Sequence, residues 1–205
     1  MNFLSSFFTI KARHPRPSTD AKLSGPRVVL RMGEPGDWRA WRYLRETSRA
    51  FLEPWEPTWP PNALNYLHFC GSLRRQWRDW RQGKAYSFLI FLRSDKDSRL
   101  GTLVGGVTLH DIQRGIAQKG TLGYWIGQPF AGQGIMTEAA ELVCDFAQHT
   151  LKLNRLEASC LPHNEPSKKL LKHLGFVEEG YAKSYLCING EWQDHLLWGK
   201  SLTDT

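Results

Sequence analysis

The spacing of apolar positions changes from segment to segment along the chain, and the changes mark its elements. Leu122, Tyr124 and Ile126 alternate with the period of two of a strand. Gly127 to Gly134 then breaks the pattern with three glycines and a proline. After it, Ile135, Ala139, Leu142, Val143 and Phe146 recur at helical spacing. This stretch predicts a strand, a glycine loop and an amphipathic helix. Upstream, residues 27–31 read as a first strand and 35–48 as a helix, with Asp37 near its start and Trp38, Trp41, Tyr43 and Leu44 as its apolar positions. Pro54, Pro57, Pro60 and Pro61 exclude regular helix over 51–61. Residues 64–82 predict a second helix, with Leu73, Trp77 and Trp80 inward and Arg74, Arg78 and Arg81 on another face. Two antiparallel strands follow at 85–92 and 100–109, joined by a polar turn over 94–99. Downstream lie a strand at 155–161 and a short helix at 166–174 stopped by Gly175. Two last strands, 178–188 and 191–201, form a hairpin around Asn189-Gly190. This order of elements makes an α+β fold on a mixed sheet.

A length of 205 residues suits one domain with a real core. No apolar run reaches membrane-spanning length, so no membrane partner is expected. The first ten residues are apolar in patches but lack a basic start and a cleavage site, and read as a tail rather than a signal peptide. Residues 11–26 are rich in Pro, Ser, Arg and Lys. The division is therefore a poorly ordered N-terminal extension at 1–26 and a single domain at 27–205. The four cysteines, Cys70, Cys144, Cys160 and Cys187, form no Cys-x-x-Cys pair, which argues against a zinc site and for the reduced thiols of a cytoplasmic protein. Cys160 and Cys187 both fall in strand-like segments and could be neighbours. The formal net charge of +7 favours an anionic ligand or an RNA-rich partner and equally suits an ordinary solvated surface.

The chemistry concentrates in the glycine loop. Such a loop leaves several backbone N–H groups unpaired and aimed at one point, and the helix dipole adds positive charge there. A pyrophosphate is the natural occupant. A dinucleotide fingerprint would want a third glycine where Thr137 stands, and a P-loop would end in Gly-Lys-Ser/Thr; neither is present.

With these residues in view, the chain resembles the GNAT superfamily of N-acetyltransferases. The superfamily's pyrophosphate loop, Arg/Gln-x-x-Gly-x-Gly/Ala, falls on Ala131 to Met136; Gly134 matches, while Ala131 and Met136 depart from it. Its second signature, Asn-x-x-Ser, stands at Asn164 to Ser167, followed by Leu174-Gly175-Phe176. The runs 51–57, 122–128, 162–164, 180–186 and 188–195 together are similar to the RimJ type of ribosomal-protein alanine N-acetyltransferase, and the similarity spans residues 28–201. The first 27 residues carry no such signal.

The resemblance implies acetyl-CoA as donor, no metal, a protein α-amino group as acceptor and direct transfer without an acyl-enzyme. It implies a GNAT fold: a mostly antiparallel sheet in which two parallel strands splay apart, with helices on both faces. Main chain near Trp125 and Ile126 would bond the pantetheine arm, Gly132, Gln133, Gly134, Ile135, Met136 and Thr137 would cradle the pyrophosphate, and Asn164 would bond a pantetheine amide. Ser167 is the first candidate to protonate the leaving thiolate, with Tyr185 second; a helix-start contact is the plainer reading of Ser167. Glu56 could serve as a base at the acceptor entrance, a loop carboxylate being the preferred reading. Two other functions stay open. One is acetylation of a small amine or antibiotic, which an acidic cleft would favour over a groove lined by Trp55, Trp59 and Tyr185. The other is a non-catalytic ribosome-binding or RNA-binding module acting through Arg74, Arg78 and Arg81. Oligomeric state is not legible in the sequence.

Overall fold

The structure, a computed structural model, describes residues 17–93 and 100–202. Its centre is one eight-stranded sheet: β1 (Leu23–Ser24), β2 (Val28–Arg31), β3 (Tyr86–Arg93), β4 (Leu100–Gln113), β5 (Lys119–Ile126), β6 (Arg155–Cys160), β7 (Val177–Ile188) and β8 (Glu191–Ser201). The spatial order is β1-β2-β3-β4-β5-β6-β8-β7. Every neighbouring pair is antiparallel except β5 with β6. The turn expected over 94–99 lies outside the described residues. Asn189 (φ 47) and Gly190 (φ 86) make the tight turn of the last hairpin.

Two layers of helix cover the sheet. On one face α4 (Ile135–Asp145) and α5 (Glu165–His173) pack over the main core. Ala139 and Ala140 are fully buried and let α4 lie close against the strands, while Val143 and Cys144 continue the buried stripe. On the other face α1 (Trp38–Thr47) sets Leu44 against Phe91 and Leu103, and α3 (Tyr66–Gln82) brings Phe69 against Trp41. The α4 face carries Tyr86, Phe88 and Ile90 of β3, register partners of Leu109, Val107 and Gly105 on β4. A second smaller cluster around Leu44 lies beneath α1.

Four expectations change. Residues 17–26 are tied to the domain rather than loose: β1 pairs with β2, Gly25 N donates to Val28 O, and the Trp80 indole donates to Pro17 O. Residues 1–16 lie outside the described residues. Trp77 is 46% exposed, because Phe69, Leu73, Gln76 and Trp80 define the inner face of α3 and Trp77 falls off it. The proline-rich segment starts with a single helical turn, α2 (Arg49–Leu52), and a 3-10 turn, Glu53–Trp55, that carries Pro54 in its first turn, where its missing N–H costs nothing. Cys160 and Cys187 are not neighbours: Cys160 pairs in register with Leu196 and Cys187 with Trp192.

Candidate active site

The parallel pair β5–β6 stays in register only where Lys119 to Thr121 meet Arg155 to Glu157. Beyond Thr121, β5 continues to Ile126 against β4, and β6 continues to Cys160 against β8, with no pairing between them. The two strands thus open a V in the middle of the sheet, and their facing edges carry main-chain groups without a ladder partner. Which groups these are follows from the register. Gly127 N donates to Val104 O across the Ile126–Gly105 pair. That makes Ile126, and two residues earlier Tyr124, turn their N–H and C=O toward β6. Trp125, expected to meet the donor through its main chain, turns it instead onto Gly106 of β4. Its indole lies on the α1 face, where a Cβ at Gly106 would stand 2.5 Å from the Trp125 Nε1.

At the end of β5 the chain enters the glycine loop. The fully buried Ser48 accepts a bond from Gln128 N at 2.9 Å, a 3-10 turn covers Gln128–Phe130, and the Gln133 amide donates to Pro129 O at 2.8 Å. Gly132 and Gly134 both hold φ 72, and Gly134 is the N-cap of α4. The first i to i−4 bond of α4 runs from Glu138 N to Gly134 O, so the N–H groups of Ile135, Met136 and Thr137 precede the helical ladder. A Cβ at Gly132 would meet nothing within 4 Å, so the loop is open outward. Free amides, a helix N-terminus and open space fit a pyrophosphate.

Across the V, Asn164 caps α5 by accepting a bond from Ser167 N at 3.1 Å through its Oδ1. Its NH2 group remains to meet a ligand amide. The Ser167 side chain stands beside the phenol of Tyr124; burial, relieved only in part by that polar neighbour, pushes Tyr124 up to about 12. The phenol therefore keeps its proton throughout the neutral range. In the sequence Tyr124 belongs to a strand with Leu122 and Ile126, and no local signal links it to a serine 43 positions on.

The opposite face of the V differs. Tyr185 stands 46% exposed on a β7 bulge held by Asp194, which accepts bonds from Ser184 N and the Tyr181 hydroxyl. Its ring meets His195 edge-on at 5.8 Å, and it lines a cavity of ≈ 640 Å³ with Thr121 and Glu157. Thr121 and Tyr124 lie three residues apart on one strand, so Tyr185 and Ser167 serve opposite faces of the sheet. Burial would raise the Glu157 carboxyl, but hydrogen bonds from Lys119 and Arg155 outweigh it and hold it below its ordinary value. Glu56 is committed elsewhere. Both its oxygens take bonds from Arg45, at 2.7 and 2.5 Å, and one also takes the Trp59 indole. The Arg45 guanidinium in turn lies 4.3 Å from the Trp59 ring and 4.8 Å from that of Trp125. A carboxylate so saturated is a brace and not a base. It positions its segment: Asn189 N of the last hairpin donates to Glu56 O, and Trp55 packs 5.5 Å from His163. Between segment and hairpin lies a cavity of ≈ 260 Å³ lined by Pro54, Leu161, His163, Ile188 and Gln193. Arg74, Arg78 and Arg81 are exposed on α3, as their spacing predicts. Among the described residues no group of three or more His, Cys, Asp or Glu could hold a metal, and no helix is long and apolar enough to cross a membrane.

This geometry has known counterparts. Residues 27–177 match the family model of the acetyltransferase (GNAT) domain. The ribosomal protein uS5 alanine N-acetyltransferase of Escherichia coli strain K12 is 35% identical over 89% of this chain and 92% of its own length. The structure of Mycobacterium smegmatis RimJ in complex with CoA-disulfide superposes with a TM-score of 0.82 at 31% identity, covering 92% of this chain and 90% of that one. The ribosomal-protein-S5-alanine acetyltransferase of Vibrio fischeri does so with a TM-score of 0.81 at 30% identity, over 90% and 98%. The opened parallel strands and the amide loop are thus those of an acyl-transfer fold, and the chain belongs to the GNAT family of N-acetyltransferases.

Proposed function

We propose that this protein transfers an acetyl group from acetyl-CoA to the N-terminal α-amino group of a ribosomal protein, with alanine as the acceptor residue. One observation carries the reading: the β5–β6 opening joins an amide loop and a Ser167–Tyr124 pair on one face to an aromatic-lined entrance on the other. A relative of 35% identity named for uS5 alanine acetylation supports the acceptor class.

The residues divide the reaction by face. On the α4 side, the amides from Gly132 to Thr137 hold the pyrophosphate, and the main chain of Tyr124 and Ile126 with the Asn164 carboxamide guides the pantetheine arm through the V. The Ile126 N–H polarises the thioester carbonyl and stabilises the oxyanion. The acceptor arrives from the α1 face. An N-terminal amine has an ordinary pKa of about 7.7–8.0, so a usable neutral fraction exists near pH 7 without a strong base. The amine nitrogen forms its bond to the carbonyl carbon, the carbon–sulfur bond breaks, the thiolate takes its proton from Ser167, which Tyr124 resupplies, and the proton shed by the nitrogen passes to water, from which Tyr124 is reprotonated. No acyl-enzyme is required. Glu56 takes no proton in this scheme. Tyr185, with its ring at the acceptor face, contacts the incoming peptide.

The entrance favours a peptide over a polycationic small molecule: Trp55 and His163 flank it, and its carboxylates, Glu56 and Glu157, are already paired with Arg45, Lys119 and Arg155. The arginine face of α3 supplies contact to ribosomal RNA, which would make association fall with salt. A cytoplasmic site of action goes with a ribosomal substrate. The test is peptide acetylation read by fragment mass spectrometry. An alanine-starting peptide should gain one acetyl group at its α-amine, and the same peptide with a blocked α-amine should gain none. Acetylation confined to lysine side chains or small amines would overturn the proposal.

A further inference from the structure

The amide loop is shaped by a residue more than a hundred positions away. Arg27, in the turn between β1 and β2, reaches across the start of α4 with its whole guanidinium. Its Nη1 donates to Gln133 O at 3.0 Å, its Nη2 to Gly134 O at 3.0 Å and its Nε to Glu138 Oε2 at 2.8 Å. The other Glu138 oxygen, Oε1, accepts the backbone N–H of Arg27 at 2.8 Å and of Val28 at 3.1 Å. Gly25 allows this closeness, since a Cβ there would lie 2.5 Å from Glu138 Oε1. Five bonds therefore join one turn to one loop.

Their consequence lies in where the loop's amides point. A peptide unit's C=O and N–H project in opposite directions. Pinning the carbonyls of Gln133 and Gly134 onto Arg27 turns the N–H groups of Gly134 and Ile135 away from it, toward the open side of the loop. The charge balance matters as well. Glu138 sits in the first turn of α4, with a side chain 12% exposed. Burial would raise its carboxyl, but the bonds from Arg27 and Val28 win and hold it ionised below its ordinary value. Alone, that carboxylate would occupy the helix dipole that an anionic ligand needs and would repel it. The guanidinium cancels its charge and commits three of its five N–H groups, one from each nitrogen, to the loop and to Glu138.

We propose that Arg27 is a positioning residue for the donor: through the carbonyls of Gln133 and Gly134 it aims the loop amides at the pyrophosphate, and through Glu138 it clears that site of negative charge. The inference rests on the reading of this loop as the pyrophosphate cradle. It predicts that Arg27 acts on the phosphate-bearing half of the donor and not on acetyl transfer as such.

The experiment compares acetyl-CoA with S-acetylpantetheine, which carries the same thioester and arm but no phosphate. The readout is the ratio of their kcat/KM values with one peptide acceptor, in wild type, R27A and R27K, beside thermal melts of each protein. Losing one well-aimed donor to a charged group is worth about tenfold, so the ratio should fall about tenfold or more in R27A, chiefly through the KM for acetyl-CoA. R27K, whose single ammonium cannot hold two carbonyls and a carboxylate in one plane, should fall in between, and it decides the matter if R27A does not fold. Adding E138Q to R27A should restore part of the ratio by removing the uncompensated charge. A purely structural role would lower both donors alike and leave the ratio as in wild type, which would overturn the inference. A wild-type ratio near one would instead overturn the reading of the loop itself.

Discussion

Replacing Gly134 by valine puts a β-branched side chain on the N-cap of α4, where the backbone holds φ 72 and ψ 4. An L-residue in that left-handed conformation costs about 1–2 kcal/mol, and a β-branched one more. The new Cβ would also press to 3.3 Å from the Arg27 Nη2. The chain has two responses. Keeping the conformation absorbs the strain, and the melting temperature drops by about 2–8 °C for a domain of this size. Rotating to negative φ relieves the strain but swings the amides of Gly134 and Ile135 off the ligand. An N–H bonded to a charged phosphate is worth about 1.5–3 kcal/mol, so losing two costs about 3–6 kcal/mol, or about 10²–10⁴-fold in Kd. Titration calorimetry with coenzyme A measures this directly, beside a melt showing a cooperative fold. G134A, with the same backbone demand and no branch, should fall between. A folded G134V that melts within about 2 °C of wild type and still binds coenzyme A within about threefold of it would refute the reasoning, because the loop would then have relaxed its strain without losing binding energy.

Ser167→Ala and Tyr124→Phe should each lower kcat more than they weaken donor binding, Ser167→Ala by about 10²-fold as expected for loss of a proton donor; equal losses in kcat and coenzyme A affinity would remove the assignment. Because burial pushes the Tyr124 phenol up to about 12, the pH profile of kcat/KM should rise as the acceptor amine loses its proton and stay level well into the alkaline range; a descending limb near about pH 9 would contradict that role. Arg45→Ala strands the Glu56 carboxylate, whose side chain is only 18% exposed, and should cost about 3 kcal/mol in urea unfolding, with Glu56→Gln recovering part; a loss under about 1 kcal/mol would show the pair to be dispensable. Glu138 has a folded pKa depressed from 4.5, so the stability it contributes is complete above that value and is lost as pH falls through its lower folded pKa; E138Q should flatten this acid-side slope in denaturation curves.

What the chain reveals in sequence and what it hides follow from the range of each interaction. The strand before the glycine loop, the helix after it and the last hairpin are written in neighbours: the alternation through Ile126, the recurrence from Ile135, the Asn189-Gly190 turn. The inner face of α3 needed the full helical phase, and Trp77 misled because it stands one residue beyond Gln76. β1 is two residues long and leaves no periodic trace. In the site, Gly134, Asn164 and Ser167 stood out because their motif is local. The pairings that decide their chemistry are not local: Tyr124 with Ser167, Glu138 with Arg27, Arg45 with Glu56. Glu56 illustrates the cost, since a carboxylate beside tryptophans leaves base and loop carboxylate both open until the arginine that occupies it is located.

The most direct measurement is a crystal structure of the coenzyme A complex. The pyrophosphate should lie against the amides between Gly132 and Thr137, with the pantetheine arm passing between β5 and β6 and the sulfur beside Ser167. Coenzyme A bound at another surface, with the β5–β6 opening closed by side chains, would contradict the account at its root.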